Sequence, residues 1–175
     1  LLGWLFLPQS GYHLPGVPDY DKAAAIGLSA LLGTMCFAPA KLLDFRFRWF
    51  DLPIALFCTW PLATHLYNGH GFATGLNWVI FHIFLWGLPY LFGRVYFVTA
   101  SERKELAVAI VWGGLLYAPL CLYEIRMSPH LHRTIYGFFQ HNFMQHIRYN
   151  GFRPIVFMQH GIMVGTWMGM TTLVA

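Results

Sequence analysis

Four arginines and four histidines share one stretch of this chain that holds no lysine and no carboxylate. Residues 125–153 contain Arg126, Arg133, Arg148 and Arg153, with His130, His132, His141 and His146, and Glu124 stands just before them. A guanidinium is planar and meets phosphate oxygens with two parallel hydrogen bonds, so an acid-free arginine segment suits a phosphate or pyrophosphate group. The tightest grouping is Arg148-Tyr149-Asn150-Gly151-Phe152-Arg153-Pro154. Gly151 permits close backbone approach. Pro154 is expected to open a helix, whose first turn would add N–H groups and partial positive charge to an anion cradle. The plainer alternative is that both arginines only touch bulk lipid phosphates. Arg126 and Arg133 are expected as secondary or steering contacts.

His160 follows Arg153 by seven residues and, on a straight helix, falls near the same face. An ionisable residue within a membrane helix marks function by default, so His160 is the candidate catalytic group. A neutral imidazole bonded to a neighbouring helix is the alternative. Gly161, Gly165 and Gly169 form a small-residue stripe expected to admit a second helix closely. His130-Leu131-His132 and the pair His141 and His146 resemble pieces of the His boxes of di-metal oxygenases. No HxxHH and no accompanying carboxylate support that, so hydrogen-bonding histidines are expected and no metal or other cofactor. His65 and His82 read as satisfied core or interface residues, and His13 and His70 as loop residues. No GxSxG, Walker loop or CxxC pair occurs, and basic residues form no soluble face, which argues against a nucleic-acid partner.

These residues need elements to hold them, and composition names the solvent. The chain is 57% hydrophobic and 10% charged, with a mean hydropathy of +0.51. Soluble domains carry about 25% charged residues, so an integral membrane protein is expected. Its fold class is expected to be all-α, a polytopic transmembrane helix bundle with about five full spans plus part of an upstream one. The spans are placed at 23–40, 53–66, 76–97, 106–123 and from Pro154 onward, with Pro61 bending the second and Gly87 with Pro89 kinking the third. A polar break is expected at 101–105. Leu1 to Leu7 reads as the tail of an earlier helix, and 1–175 as one membrane domain, a fragment of a larger protein. Cys36, Cys58 and Cys121 fall within spans and read as small buried side chains.

Basic residues orient such a bundle. Lys41, Arg46, Arg48, Arg94, Arg103 and Lys104 make six on one side, against Lys22 and the four loop arginines on the other. The first group is assigned to the cytoplasm, because the loop arginines can be explained by a ligand. Residues 125–153 then become an extracytoplasmic loop. Its aromatic and basic residues interleave as in a short segment lying at headgroup depth.

Tyr123-Glu124-Ile125-Arg126-Met127-Ser128-Pro129, Tyr136-Gly137-Phe138, and Arg148-x-x-Gly151-Phe152-Arg153-Pro154 through His160-Gly161 resemble the O-antigen ligase and polymerase superfamily. Trp86-Gly87-Leu88-Pro89-Tyr90 and Gly93-Arg94-x-Tyr96-Phe97 are similar to one branch of it. The resemblance implies a multi-pass glycosyltransferase of the bacterial inner membrane, with the 125–153 loop periplasmic. The implied donor is an undecaprenyl-pyrophosphate-linked glycan, and the acceptor is lipid A-core or another glycan. It implies that Arg148, with Gly151, binds the donor pyrophosphate, and that no metal or nucleotide is needed. A transporter or flippase-like binder of an anionic lipid-linked substrate is the second reading, and a His-box oxygenase the third.

Overall fold

A computed structural model describes residues 1–12, 19–140, 142–148 and 150–175; His13, His141, Tyr149 and the side chain of Arg148 lie outside that description. The described chain is mostly helical. Two short antiparallel ribbons accompany the helices, β1 (Gly11–Tyr12) with β2 (Tyr20–Asp21) and β3 (Ile147–Arg148) with β4 (Gly151–Phe152). Residues 11–102 form one compact unit, and residues 1–10 with 103–175 form another.

In the first of these units, Asp21 accepts the Ala24 N–H and caps α2 (Lys22–Phe37). After α3 (Pro39–Leu43), α4 (Leu52–Tyr67) and α5 (Phe72–His82) pair as an antiparallel hairpin. The turn between them needs left-handed backbone, which Gly69 (φ 72°) and Gly71 (φ 88°) supply. Helix α4 runs through Pro61 without ending. The expected kink at Gly87 and Pro89 is a π turn, Ile83–Gly87, that joins α5 to α6 (Leu88–Tyr96) in one continuous helix. A wider turn just ahead of Pro89 accommodates a residue that has no N–H and a bulky ring.

The second unit is built on α7 (Ala100–Met127). Residues 101–105 are its first turns rather than a break. Thr99 and Glu102 exchange backbone and side-chain hydrogen bonds there, a reciprocal cap that starts the helix. Short α1 (Leu2–Phe6) and α9 (Gly161–Val174) pack in a core with Leu5, Tyr117, Cys121, Phe157, Val164 and Trp167. The close approach of α9 to α7 does not use the 161/165/169 stripe, since nothing lies within 4 Å of a Cβ built on Gly165 or Gly169. It uses Gly113 and Gly114 of α7 instead. A Cβ on Gly114 would sit 2.7 Å from Thr171 Cβ.

Two helices are long and apolar enough to cross a membrane, Phe72–Tyr96 and α7. At 1.5 Å per residue they measure roughly 37 and 42 Å, against about 30 Å of hydrocarbon. Helices α2, α4 and α9, at 16, 16 and 14 residues, are apolar but shorter, so length alone supports two crossings of the five anticipated. Exposure is inverted relative to a water-soluble protein: Phe37, Tyr67 and Leu173 are 91%, 92% and 90% exposed, while Asp51, Glu124 and His132 are each 1% exposed. Such a surface fits an apolar solvent.

Asp51 fastens the 11–102 unit. Its carboxylate accepts from Tyr90 Oη (2.5 Å), Arg94 Nε (2.9 Å), Arg94 Nη2 (3.2 Å) and the Arg48 backbone N–H (2.7 Å). The Arg94 hydrogen bond, with those from Tyr90 and Arg48, holds this carboxyl well below its ordinary value of 3.8 although burial pushes the other way. A carboxyl held low in the folded state stabilises fully above 3.8, and that contribution is lost as pH falls below 3.8. Asp51→Asn is expected to flatten the acid limb of unfolding temperature against pH; an acid limb identical to the unaltered protein's rules the lock out. Gly114→Ala is expected to cost about 1–3 kcal/mol by overpacking, while Gly165→Ala stays within about 0.5 kcal/mol, both read by thermal unfolding in detergent.

Candidate functional site

The arginine segment is a folded element, and Glu124 organises it. Glu124 lies on the last turns of α7 with its side chain buried. Oε1 accepts the Leu131 N–H (3.2 Å), and Oε2 accepts the N–H groups of Ile155 (2.8 Å) and Val156 (2.7 Å). Tyr117, two turns earlier on α7, accepts the Phe157 N–H at its hydroxyl (3.0 Å). Gln140 Nε2 donates to the carbonyls of Val156 (2.8 Å) and Met158 (3.3 Å). The run Ile155–Met158 is therefore buried yet not helical, because side chains have captured the backbone groups a helix would use. Val156 takes φ 55°, a left-handed conformation that costs a β-branched residue about 1–3 kcal/mol.

This corrects the expected start of the last helix. Pro154 does not open it. Helix α9 begins at Gly161, with His160 in extended backbone at its N-cap, accepting the Met163 N–H at its carbonyl (2.9 Å). Arg153 and His160 do not share a helical face. The Arg153 side chain instead crosses Gly161, the residue after His160, and a Cβ there would overlap Arg153 Nε. Arg153 is half-buried and His160 exposed.

The other arginines are separately placed. In the β3–β4 ribbon, Arg148 pairs with Gly151 and Ile147 with Phe152. Gly151 is thus a ribbon residue, and the left-handed turn position is Asn150 (φ 60°). The Arg153 N–H donates to the His146 carbonyl (2.8 Å) and extends the pairing. Arg133, in α8 (Leu131–Tyr136), lies over the Phe139 ring at 5.1 Å. Arg126 is exposed in the last turn of α7, where a cation complements the helix dipole.

The histidines mostly hold structure. His132 Nδ1 donates to the Phe138 carbonyl (2.8 Å), which leaves Nε2 to accept the Gln9 N–H (3.2 Å). Both nitrogens are engaged, so His132 is not available as a metal ligand in this arrangement. Among the described residues, no three His, Cys, Asp or Glu side chains are grouped to hold a metal. His130 stacks with Phe139 and Phe143. In the 11–102 unit, His82 Nδ1 donates to the Trp78 carbonyl (2.8 Å). His65 stacks on Trp78, and its Nδ1 is buried with no hydrogen-bond partner among the described residues. Both imidazoles line an aromatic cleft of about 490 Å³ with Phe57 and Trp60.

Sequence reasoning passed over Glu124, Tyr117 and Gln140 as site-builders. The available signal was Glu124 itself, a carboxylate at the end of a long apolar helix. It also assigned Lys41, Arg46 and Arg48 to topology alone, and Arg94 to topology and the family resemblance, whereas these four line one cleft.

No family model, curated protein or solved structure matches the chain.

Glu124→Gln tests the organising role. A glutamine offers one carbonyl oxygen where the carboxylate offers two acceptors, so at least one buried N–H loses its partner. The expected cost is about 2–4 kcal/mol, read as a lowered unfolding transition in detergent. An unshifted transition would mean that these N–H groups are satisfied some other way.

Proposed function

We propose that this chain is the membrane part of a glycosyltransferase of the O-antigen ligase and polymerase type, with residues 125–161 gripping the pyrophosphate of a lipid-linked donor. One observation carries the reading. Arg153 lies across Gly161, so a guanidinium stands at the positive end of α9. A cation there is electrostatically unmatched, and the N–H groups of the first turn begin without intrahelical partners. An anion between them satisfies both. The family resemblance supplies the class of anion, an undecaprenyl pyrophosphate bearing a glycan, and Arg148 is assigned as the second clamp. In this reading the shorter apolar helices complete a five-span bundle in a bacterial inner membrane, with the arginine segment in the periplasm.

The chemistry asks little more of these residues. A hydroxyl of the acceptor, lipid A-core or another glycan, attacks the anomeric carbon. The bond to the pyrophosphate oxygen breaks and its electron pair leaves with that oxygen. Guanidinium groups fixed in advance stabilise the departing charge better than reorganising water does. The hydroxyl proton passes to a general base, and His160, at the cap of the same helix, is assigned that role.

Acceptor-dependent release of undecaprenyl pyrophosphate separates transfer from transport, because a flippase-like binder releases none. Arg153→Lys and Arg148→Lys each retain charge but lose the two-pronged contact, and each is expected to lower turnover about tenfold or more. Gly161→Ala, whose Cβ displaces the Arg153 side chain, is expected to lower donor binding with its unfolding temperature unchanged. Near-normal turnover and donor binding in all three would end the proposal.

A further inference from the structure

We infer that Lys41, Arg46, Arg48 and Arg94 form a second anion site, one that takes the phosphodiester of an anionic phospholipid headgroup. The four side chains, with Asp44, line a cleft of about 330 Å³ within the 11–102 unit. Two of the cations are fixed before any ligand arrives. Arg94 is held on both its Nε and Nη2 by buried Asp51 and lies over the Phe50 ring at 4.5 Å. Lys41 stands 3.6 Å from Glu102 and 4.6 Å above the Tyr96 ring. Asp51 also accepts the Arg48 N–H, which ties the loop carrying Arg46 and Arg48 to the helix carrying Arg94. The Arg46 and Arg48 side chains are exposed and make no ion pair among the described residues.

Charge and depth choose the ligand. Four cations here meet three carboxylates, Asp44, Asp51 and Glu102, leaving one positive charge, which matches the single negative charge of a phosphodiester. Arg94 is in the last turn of the candidate span Phe72–Tyr96, where a phosphate layer would lie. Leu43 and Trp49, 84% exposed each, and Phe47, 60% exposed, flank the cleft in sequence and suit acyl chains. A free phosphate compound offers the same oxygens without the tails. The site is independent of the 125–161 segment and stands or falls without it.

The detergent-solubilised chain is titrated with dihexanoyl phosphatidylglycerol and followed by native mass spectrometry. Dihexanoyl phosphatidylcholine serves as the zwitterionic arm and glycerol 3-phosphate as the soluble arm. Phosphatidylglycerol is expected to bind more tightly than phosphatidylcholine. The double variant Arg46→Gln with Arg48→Gln should lower that affinity about tenfold at an unchanged unfolding temperature, as expected for lost charge-assisted hydrogen bonds. Lys104→Gln, outside the cleft, should leave it unchanged. Glycerol 3-phosphate binding as tightly as the lipid, and losing affinity in the same double variant, keeps the site and assigns it to a soluble phosphate compound. Equal affinity for the two lipids, an unaffected double variant, or an equal loss in Lys104→Gln overturns the inference.

Discussion

A buried carboxylate that accepts three backbone N–H groups is the interaction on which the arginine-bearing unit depends. Away from water, an N–H without a partner costs several kcal/mol, so irregular backbone survives only where something supplies acceptors. Glu124 supplies them to Leu131, Ile155 and Val156. Both ends of the 125–153 segment are thereby pinned to the end of α7, and the ribbon, α8 and the approach to α9 hang between. Asp51 does the corresponding work in the other unit, joining the 44–51 loop to the helix that ends at Tyr96. In each case the acid is spent on architecture, and the cations around it are left to meet something else.

What could be read from the residues divides along physical lines. The two long apolar helices were legible, because length and hydropathy are properties of a local window. The start of α9 was not legible. Pro154 suits a first helical turn, but Glu124, Tyr117 and Gln140 compete for the same backbone groups and win, and two of them lie more than 30 residues away in sequence. The Asp51–Arg94 pair spans 43 residues with no periodic mark. The glycine stripe misled because spacing says that a helix can approach, not that one does; Gly113 and Gly114, adjacent and so off any one stripe, are where α9 comes close.

The cations fall into two kinds. Arg94 and Lys41 have carboxylate partners, and Arg133 rests on Phe139. Arg46, Arg48 and Arg126 are exposed, and Arg153 lies across the positive end of a helix. In a medium of low polarity the second kind is costly unless phosphate is at hand. A lipid surface is where phosphate and hydrocarbon occur together.

The Glu124 connection also bears on how the chain is made. The carboxylate leaves the ribosome 31 residues ahead of Ile155, its main-chain partner. At about 5–20 residues per second, that is a delay of roughly 2–6 s. During that interval the carboxylate at the end of α7 has only the Leu131 N–H of its three main-chain partners within reach, and its second oxygen must stay in contact with water. Full pairing of this carboxylate thus waits on synthesis of the turn that follows Pro154, and a pause in translation between the two would lengthen the exposure.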